Sequence, residues 1–237
     1  MDDAAGAARS ALLAGATGLV GRELLRLLLA CPSYARVHVL LRRAVPDLGD
    51  HPRLAVHHVD FARLPEAFPR VGDAYIALGT TIKVAGSQEA FREVDLDFVV
   101  NVARAARAAG ATRLAVVSAL GADAASRAFY NRVKGEMQEA VTQLGYASVV
   151  IAQPSLLLGD RAALGQPARA GEAWAARLLG PLAALVPAGV RPIPARAVAA
   201  ALLAAMLDAR PGVRILASRA MQAYGATDAP GAAVAPR

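Results

Sequence analysis

At 237 residues, 56% of them hydrophobic, the chain is long enough for one α/β domain with a full core and too short for two large ones. A single cysteine, Cys31, excludes an intramolecular disulfide and a cysteine-based metal site. The net charge of +7 raises nucleic acid as a partner, but aromatics are only 5% and Arg104, Arg107, Arg113, Arg127 and Arg132 are scattered rather than clustered, so specific nucleic-acid recognition is not expected.

Residues 1–9 are small and polar and are expected to be disordered. The opening MDDAAGAARS lacks the basic-then-apolar order of a secretory leader. The stretch Leu178 to Val190 is apolar but is interrupted by Gly180, Pro181 and Pro187 and is too short to span a bilayer. A cytoplasmic protein with no membrane partner is the expectation.

The first element is an apolar strand, Ala11 to Ala14, that runs into GATGLVG and then into an amphipathic helical pattern. Strand, glycine turn and helix in that order form the setting in which a glycine motif binds a dinucleotide. The spacing is G-x-x-G-x-x-G at Gly15, Gly18 and Gly21. Gly15 allows the sharp turn, Gly18 lets backbone approach a pyrophosphate, and Gly21 lets the helix lie close to the sheet. Backbone N–H groups over Thr17, Gly18, Leu19, Val20 and Gly21, at the positive end of the helix dipole, then face the phosphates.

Arg36 to Leu41 reads as a second, buried strand, followed at once by Arg42 and Arg43. An acidic residue at that place accepts the ribose 2′-OH of NAD, whereas a guanidinium binds a 2′-phosphate by paired charge-assisted bonds. NADP, as NADPH, is therefore favoured as cofactor. A third strand, Leu54 to Val59, ends at Asp60-Phe61, where Asp60 can accept from the adenine amino group. His57 and His58 have no third ligand at metal spacing and read as strand residues, so no metal is expected. A fourth strand, Ala74 to Leu78, closes at Gly79-Thr80-Thr81, which suits a wall beside the cofactor formed by Leu78, Gly79, Thr80 and Thr81.

Phe91, Val94, Phe98, Val102, Ala105 and Ala109 recur at helical spacing and predict one long helix over Gln88 to Ala109, stopped by Gly110. Arg113 to Ser118 is the fifth strand, with Ser118 at its carboxyl end. Ser126 is placed as the cap of a helix running from about Arg127 to Gly145. Ala147 to Ile151 is the sixth strand, left through the loop Gln153-Pro154-Ser155-Leu156-Leu157-Leu158-Gly159, with Pro154 on the cofactor side. A helical region over 160–210, with Trp174 and Leu178 as apolar roof residues between Gln166 and Pro194, follows. It includes a helix from Ala195 to Leu207, and Arg214 to Ala217 reads as a final strand. Residues 225–237 form an Ala/Pro/Gly tail expected to be disordered. The alternation implies an α/β fold, a doubly wound parallel sheet of the Rossmann kind over 10–224, with a small helical C-terminal substrate region.

Tyr130 and Lys134 stand one helical turn apart and share a face. The chain's only lysines are Lys83 and Lys134, so an ammonium at this place is a marked choice in an arginine-rich protein. A nearby ammonium favours the phenolate, as general acid–base work requires, and Ser118 can hydrogen-bond a reacting carbonyl.

GATGLVG, the strand-end serine, YNRVK and the QPSLLLGDR loop together resemble the short-chain dehydrogenase/reductase superfamily in its atypical branch. Within it, the run from LGTTIKVAGSQEAF to FYNRVKGEM is similar to the Tat-interacting-protein-like oxidoreductases, over most of residues 10–208. The resemblance implies that Gly15, Gly18 and Gly21 cradle the pyrophosphate and that Arg42, with Arg43, takes the 2′-phosphate. It implies that Ser118, Tyr130 and Lys134 form the catalytic set, with Lys134 also on the nicotinamide ribose. Many relatives carry Arg-Pro-Gly where this chain has Gln153-Pro154-Ser155, which weakens the case for an anionic substrate. Two functions stay open: an NADPH-dependent reductase of a small-molecule carbonyl compound, or a cofactor-bound regulatory or scaffold protein with little turnover. The sequence leaves the oligomeric state open.

Overall fold

In the computed structural model, which describes residues 9–45, 48–66, 68–159, 187 and 189–225, the apolar runs lie side by side in one parallel sheet. Among the described residues the strands are β1 (Arg9–Ala14), β2 (Tyr34–Leu41), β3 (Leu54–His58), β4 (Asp73–Ile76), β5 (Arg113–Val117), β6 (Ser148–Gln153), β7 (Leu157–Leu158), β8 (Ile193–Pro194) and β9 (Gly212–Ala217). Seven of them form the sheet in the order β3-β2-β1-β4-β5-β6-β9, every neighbouring pair parallel, while β7 and β8 pair with each other. The order reverses at β1, between β2 and β4. That switch point opens a crevice beyond the carboxyl ends of those strands, where ligands bind in such sheets.

Both faces are covered, which is why Ala11, Leu12, Leu13 and Ala14 are all fully buried. Ala11 and Leu13 point to one layer, where α1 (Leu19–Ala30) packs through Leu24 and Leu28. Leu12 and Ala14 point to the other, where α4 (Phe98–Ala108) and α5 (Phe129–Thr142) supply Val99, Val102, Val133 and Met137. The helix Ala195–Asp208 belongs to the α1 layer: Ala197, Val198, Ala201 and Leu202 are buried with Leu24 and Leu28. This part of the expected substrate region therefore covers the sheet. Just before that helix, within the region expected to be helical, Ile193–Pro194 is the strand β8, while residues 160–186 and 188, with Trp174 and Leu178, lie outside the described residues, as do residues 1–8 and the tail from 226 onward.

Several expectations shift for identifiable reasons. Arg9, assigned to a disordered N-terminus, is the first residue of β1, where its backbone N–H donates to the Ser33 carbonyl at 3.0 Å. The single helix expected over Gln88 to Ala109 is α3 (Gln88–Arg92), one π-helical turn (Glu93–Asp97) and α4. Ser126 does not cap α5, which begins at Phe129. The Asp123 carboxylate accepts from the Ala125 N–H at 2.9 Å and holds a turn, while Ser126 Oγ accepts from the Ala128 N–H at 3.2 Å, so helical geometry starts later.

The amino ends of the strands are stapled by Asp73, which is fully buried. Its carboxylate accepts from Tyr34 Oη at 2.5 Å and from Arg113 Nε at 2.6 Å, and the Arg9 guanidinium stands 3.8 Å away. Burial, reinforced by the Asp73 charge, holds the Tyr34 phenol well above the usual tyrosine range. The buried charge is thus paired and hydrogen-bonded, the condition under which it can be tolerated. This cluster sits at the end of the sheet away from the crevice.

Candidate active site

The glycine turn is shaped by backbone contact. Gly15 has φ +91°, and a Cβ there would lie 2.5 Å from the Ala77 carbonyl carbon and oxygen, so β1 and β4 touch at the switch point. A Cβ on Gly21 would lie 1.8 Å from the Gly15 carbonyl oxygen; this contact seats α1 against the turn. Gly18 differs. A Cβ on it would meet the Gly15 and Ala77 carbonyl oxygens at 3.5 and 3.9 Å, ordinary contact distances, so the protein itself does not crowd that side of the turn. Gly18 is also the N-cap of α1 and supplies no side-chain partner, so the first N–H groups of the helix point out of the turn without a cap. Val20 is buried and Leu19 half-buried, leaving the ligand-facing role of this segment to backbone. Thr17 lines a cavity of about 250 Å³ with Ala16, Arg22, Leu25, Arg26 and Val45.

Around this turn the structure gathers most of the other candidates. Leu78 is half-buried and Gly79 exposed beyond the end of β4. The Thr80 N–H donates to Asp95 at 2.8 Å, and Thr81 caps a short helix, α2 (Ile82–Ala85), by accepting from the Val84 N–H at 3.1 Å. Arg42 and Arg43 are exposed after β2 and form no ion pair among the described residues. Pro154 is buried and its carbonyl accepts from the Leu120 N–H at 2.9 Å. The loop after β6 reaches the glycine turn, since a Cβ on Gly159 would fall 2.6 Å from Leu19 Cδ2.

The two remaining cofactor-binding candidates, Asp60 and Phe61, follow the carboxyl end of β3. The Phe61 ring is buried against Phe98 with centroids 5.9 Å apart, and the Phe61 carbonyl accepts from Asn101 Nδ2 at 3.2 Å, so both its ring and its carbonyl are engaged in the core. Asp60 is exposed, and its carboxylate holds a local turn by accepting from the Ala62 N–H at 2.9 Å.

Ser118, Tyr130 and Lys134 lie at the carboxyl ends of β4 and β5. Ser118 is buried just past β5, pinned by its N–H to the Ala152 carbonyl at 2.8 Å. Tyr130, in the first turn of α5, is 37% exposed and its ring leans on Phe91, with centroids 5.5 Å apart. Lys134 is buried, and its Nζ pairs with Asp95 Oδ1 at 2.7 Å. The lysine ammonium also lies 3.9 Å from where a Gly79 Cβ would stand. Asp95 was not singled out from sequence. It sits in the π-helical turn, a helix irregularity frequent at functional sites. A signal was present: four residues after the core residue Phe91, a carboxylate falls on the buried face of the pattern. Gln138 was missed as well, although it continues the Tyr130–Lys134 face by one more turn. Its Nε2 donates to Ser118 Oγ at 2.5 Å.

Comparison with known proteins decides the family. Residues 15–156, more than half of the chain, match the model of the family described as NAD(P)H-binding. This chain belongs to the NAD(P)H-binding family. The family member is 35% identical over 153 residues to the protein FMP52, mitochondrial, of Eremothecium gossypii, covering 64% of this chain and 68% of the relative. It is 36% identical over 186 residues to fmp52, mitochondrial, of Aspergillus fumigatus, covering 76% and 77%. These relatives fit the atypical branch of the short-chain dehydrogenases/reductases indicated by the motifs. The structure resembles the Bordetella bronchiseptica enzyme WbmG in complex with NAD, at TM-score 0.66 and 16% identity, covering 92% of this chain and 75% of that one, a likeness of fold. The expectation of a cytoplasmic protein is overturned by the curated relatives, which are named mitochondrial; an unremarkable N-terminal composition carried too little information to place the protein. The family's dinucleotide fits what the crevice offers: a side-chain-free, uncrowded turn at Gly18 and an uncapped helix N-terminus.

Proposed function

We propose that this family member is an NADPH-dependent reductase of a small-molecule carbonyl compound, with Ser118, Tyr130 and Lys134 as its catalytic set. One observation carries the reading: Lys134, on the same face of α5 as Tyr130, reaches the end of β4 beside Gly79, and β4 borders the glycine turn at Gly15. The side chains with acid–base chemistry and the dinucleotide crevice therefore adjoin. A reduced nicotinamide held there would supply the hydride for the carbonyl carbon. Tyr130 Oη gives its proton to the carbonyl oxygen, so the C=O bond becomes CH–OH, and the phenolate regains a proton from solvent through its exposed edge. Ser118 hydrogen-bonds the same oxygen and orients it. Lys134, held by Asp95, binds the ribose hydroxyls. Arg42 and Arg43, exposed and without an ion pair among the described residues, take the 2′-phosphate.

The test is Tyr130→Phe, which keeps the ring against Phe91 and removes the proton. Single-turnover NADPH oxidation, on a carbonyl found by screening the pure protein, is expected to fall roughly a hundredfold or more while NADPH affinity stays within about twofold. Wild-type rates in this variant would remove Tyr130 from the mechanism. NADPH binding without turnover of any carbonyl would favour a binding protein over an enzyme.

A further inference from the structure

Three polar side chains run in a line beneath the candidate site. Gln153 Nε2 donates to Gln138 Oε1 at 3.2 Å, and Gln138 Nε2 donates to Ser118 Oγ at 2.5 Å. Gln138 and Ser118 are both buried, 9% and 5% exposed, and Gln153 is half-buried at the end of β6. Three elements meet here: Ser118 follows β5, Gln138 comes from α5 and Gln153 closes β6. The line has a direction. A hydroxyl that accepts from an amide N–H keeps its own proton for another partner. Turning the Gln138 amide alone would set its NH₂ against that of Gln153 and break the Gln153–Gln138 bond, which holds the Gln138 amide with its N–H towards Ser118.

We propose that Gln138 and Gln153 are positioning residues that commit Ser118 to act as a hydrogen-bond donor towards the substrate's carbonyl oxygen. The inference rests on the reductase reading above. With Gln138 donating from below, the Ser118 proton is directed away from the relay, where it can meet an oxygen that gains negative charge as the carbonyl is reduced. Both relay members are neutral amides, so the hydroxyl's polarity is set by geometry and does not change with pH. If both amides were reversed, Ser118 would give its proton inward to Gln138 and offer the substrate only lone pairs. Such a serine would repel a carbonyl oxygen, and this reversal is the alternative the experiment excludes.

The variant Gln138→Glu keeps size and shape and replaces the donor by an acceptor. When its new carboxyl is ionised, it takes the Ser118 proton inward; when protonated, it can donate again. The probe is phenanthrenequinone, a flat apolar dicarbonyl, with NADPH oxidation followed from pH 5 to 9. At pH 8, kcat/KM is expected to fall on the order of a hundredfold in Gln138→Glu, as for loss of one oxyanion donor. It should rise again as pH is lowered through the carboxyl's titration, a limb absent from wild type. Gln138→Leu, which leaves the hydroxyl without a fixed partner, should lose roughly tenfold at every pH. The decisive control is Gln138→Glu combined with Ser118→Ala: the acid-side recovery should vanish, because nothing remains for the carboxyl to redirect. Unchanged NADPH affinity and circular dichroism in each variant show that the fold and cofactor site persist.

A pH profile of Gln138→Glu parallel to wild type, or an acid limb that survives without Ser118, overturns the relay while leaving the reductase reading in place. A wild-type protein that binds NADPH but reduces neither phenanthrenequinone nor any screened carbonyl overturns the reductase reading itself, and the relay's role with it.

Discussion

A buried ammonium costs several kcal/mol to desolvate unless a counter-ion is fixed beside it. Lys134 meets that condition through Asp95, both side chains being 5% exposed or less and 2.7 Å apart. The carboxylate's other oxygen is held by the Thr80 N–H, so the pair ties α5 to the loop after β4. This changes what the Tyr–Lys spacing alone suggests. An ammonium paired with a carboxylate presents less net charge to Tyr130 than a solitary one, and its main service becomes position. Asp95→Asn keeps an oxygen for Thr80 and removes the counter-charge. Urea unfolding should show a loss of about 3 kcal/mol, of which Lys134→Met in the same chain should recover a large part. If Asp95→Asn unfolds at the wild-type midpoint, the pair has no structural weight. Tyr130 and Lys134 were legible from their i, i+4 spacing. Asp95 was hidden because its partner lies 39 positions away in sequence, across a helix irregularity that the apolar periodicity did not predict.

At the scale of elements, the edge of the sheet holds a titrating contact. His38 Nδ1 and His57 Nε2, from neighbouring strands β2 and β3, share one hydrogen bond at 2.9 Å. A single proton between two ring nitrogens requires the accepting ring to stay neutral, and protonating both rings would break the bond. Burial, helped by His57 and Arg36, pulls His38 from 6.5 to about 4, and burial with Arg36 lowers His57 as well. Folded-state values below the unfolded ones mean that the unfolded chain binds protons first. The contribution is complete above about pH 6.5 and is lost as pH falls towards 4. Urea midpoints should decline over that window, and His57→Gln, whose amide can still pair with His38, should decline less steeply. Identical slopes in the two proteins would assign the acid sensitivity elsewhere. The strands themselves were readable as apolar runs with turn residues between them. Their ends were not, because the Tyr34 start of β2 and the Gln153 end of β6 are set by pairing with β1 and β9 rather than by local composition.

For the whole molecule, the net charge of +7 adds a diffuse attraction for any anionic cofactor, and salt screens it. Preference between NADPH and NADH depends on something more local, the two guanidiniums after β2. The protein should bind NADPH more tightly than NADH at low salt, with the gap narrowing as salt rises. In an Arg42→Ala, Arg43→Ala double variant the gap should largely close while NADH affinity changes little. Titration calorimetry giving equal affinities for the two cofactors in wild type would refute this assignment.

By itself, the sequence determined the parallel α/β class and the glycine turn, because both rest on short-range patterns: a buried run of four to eight apolar residues, a glycine wherever a Cβ has no room, and a helical stripe. It determined the i, i+4 face of α5 for the same reason, since 3.6 residues per turn bring Tyr130 and Lys134 together without help from the rest of the chain. Only the tertiary structure decided who partners whom beyond that. The crossovers that place β4 beside β1 and β5 beside β4 bring Asp95 to Lys134 and Gln138 to Ser118, and send the Phe61 ring into the core. Pairings of that kind depend on how strands order in a sheet and which helix face meets it, and a one-dimensional pattern carries the tendency to be buried but not the identity of the neighbour.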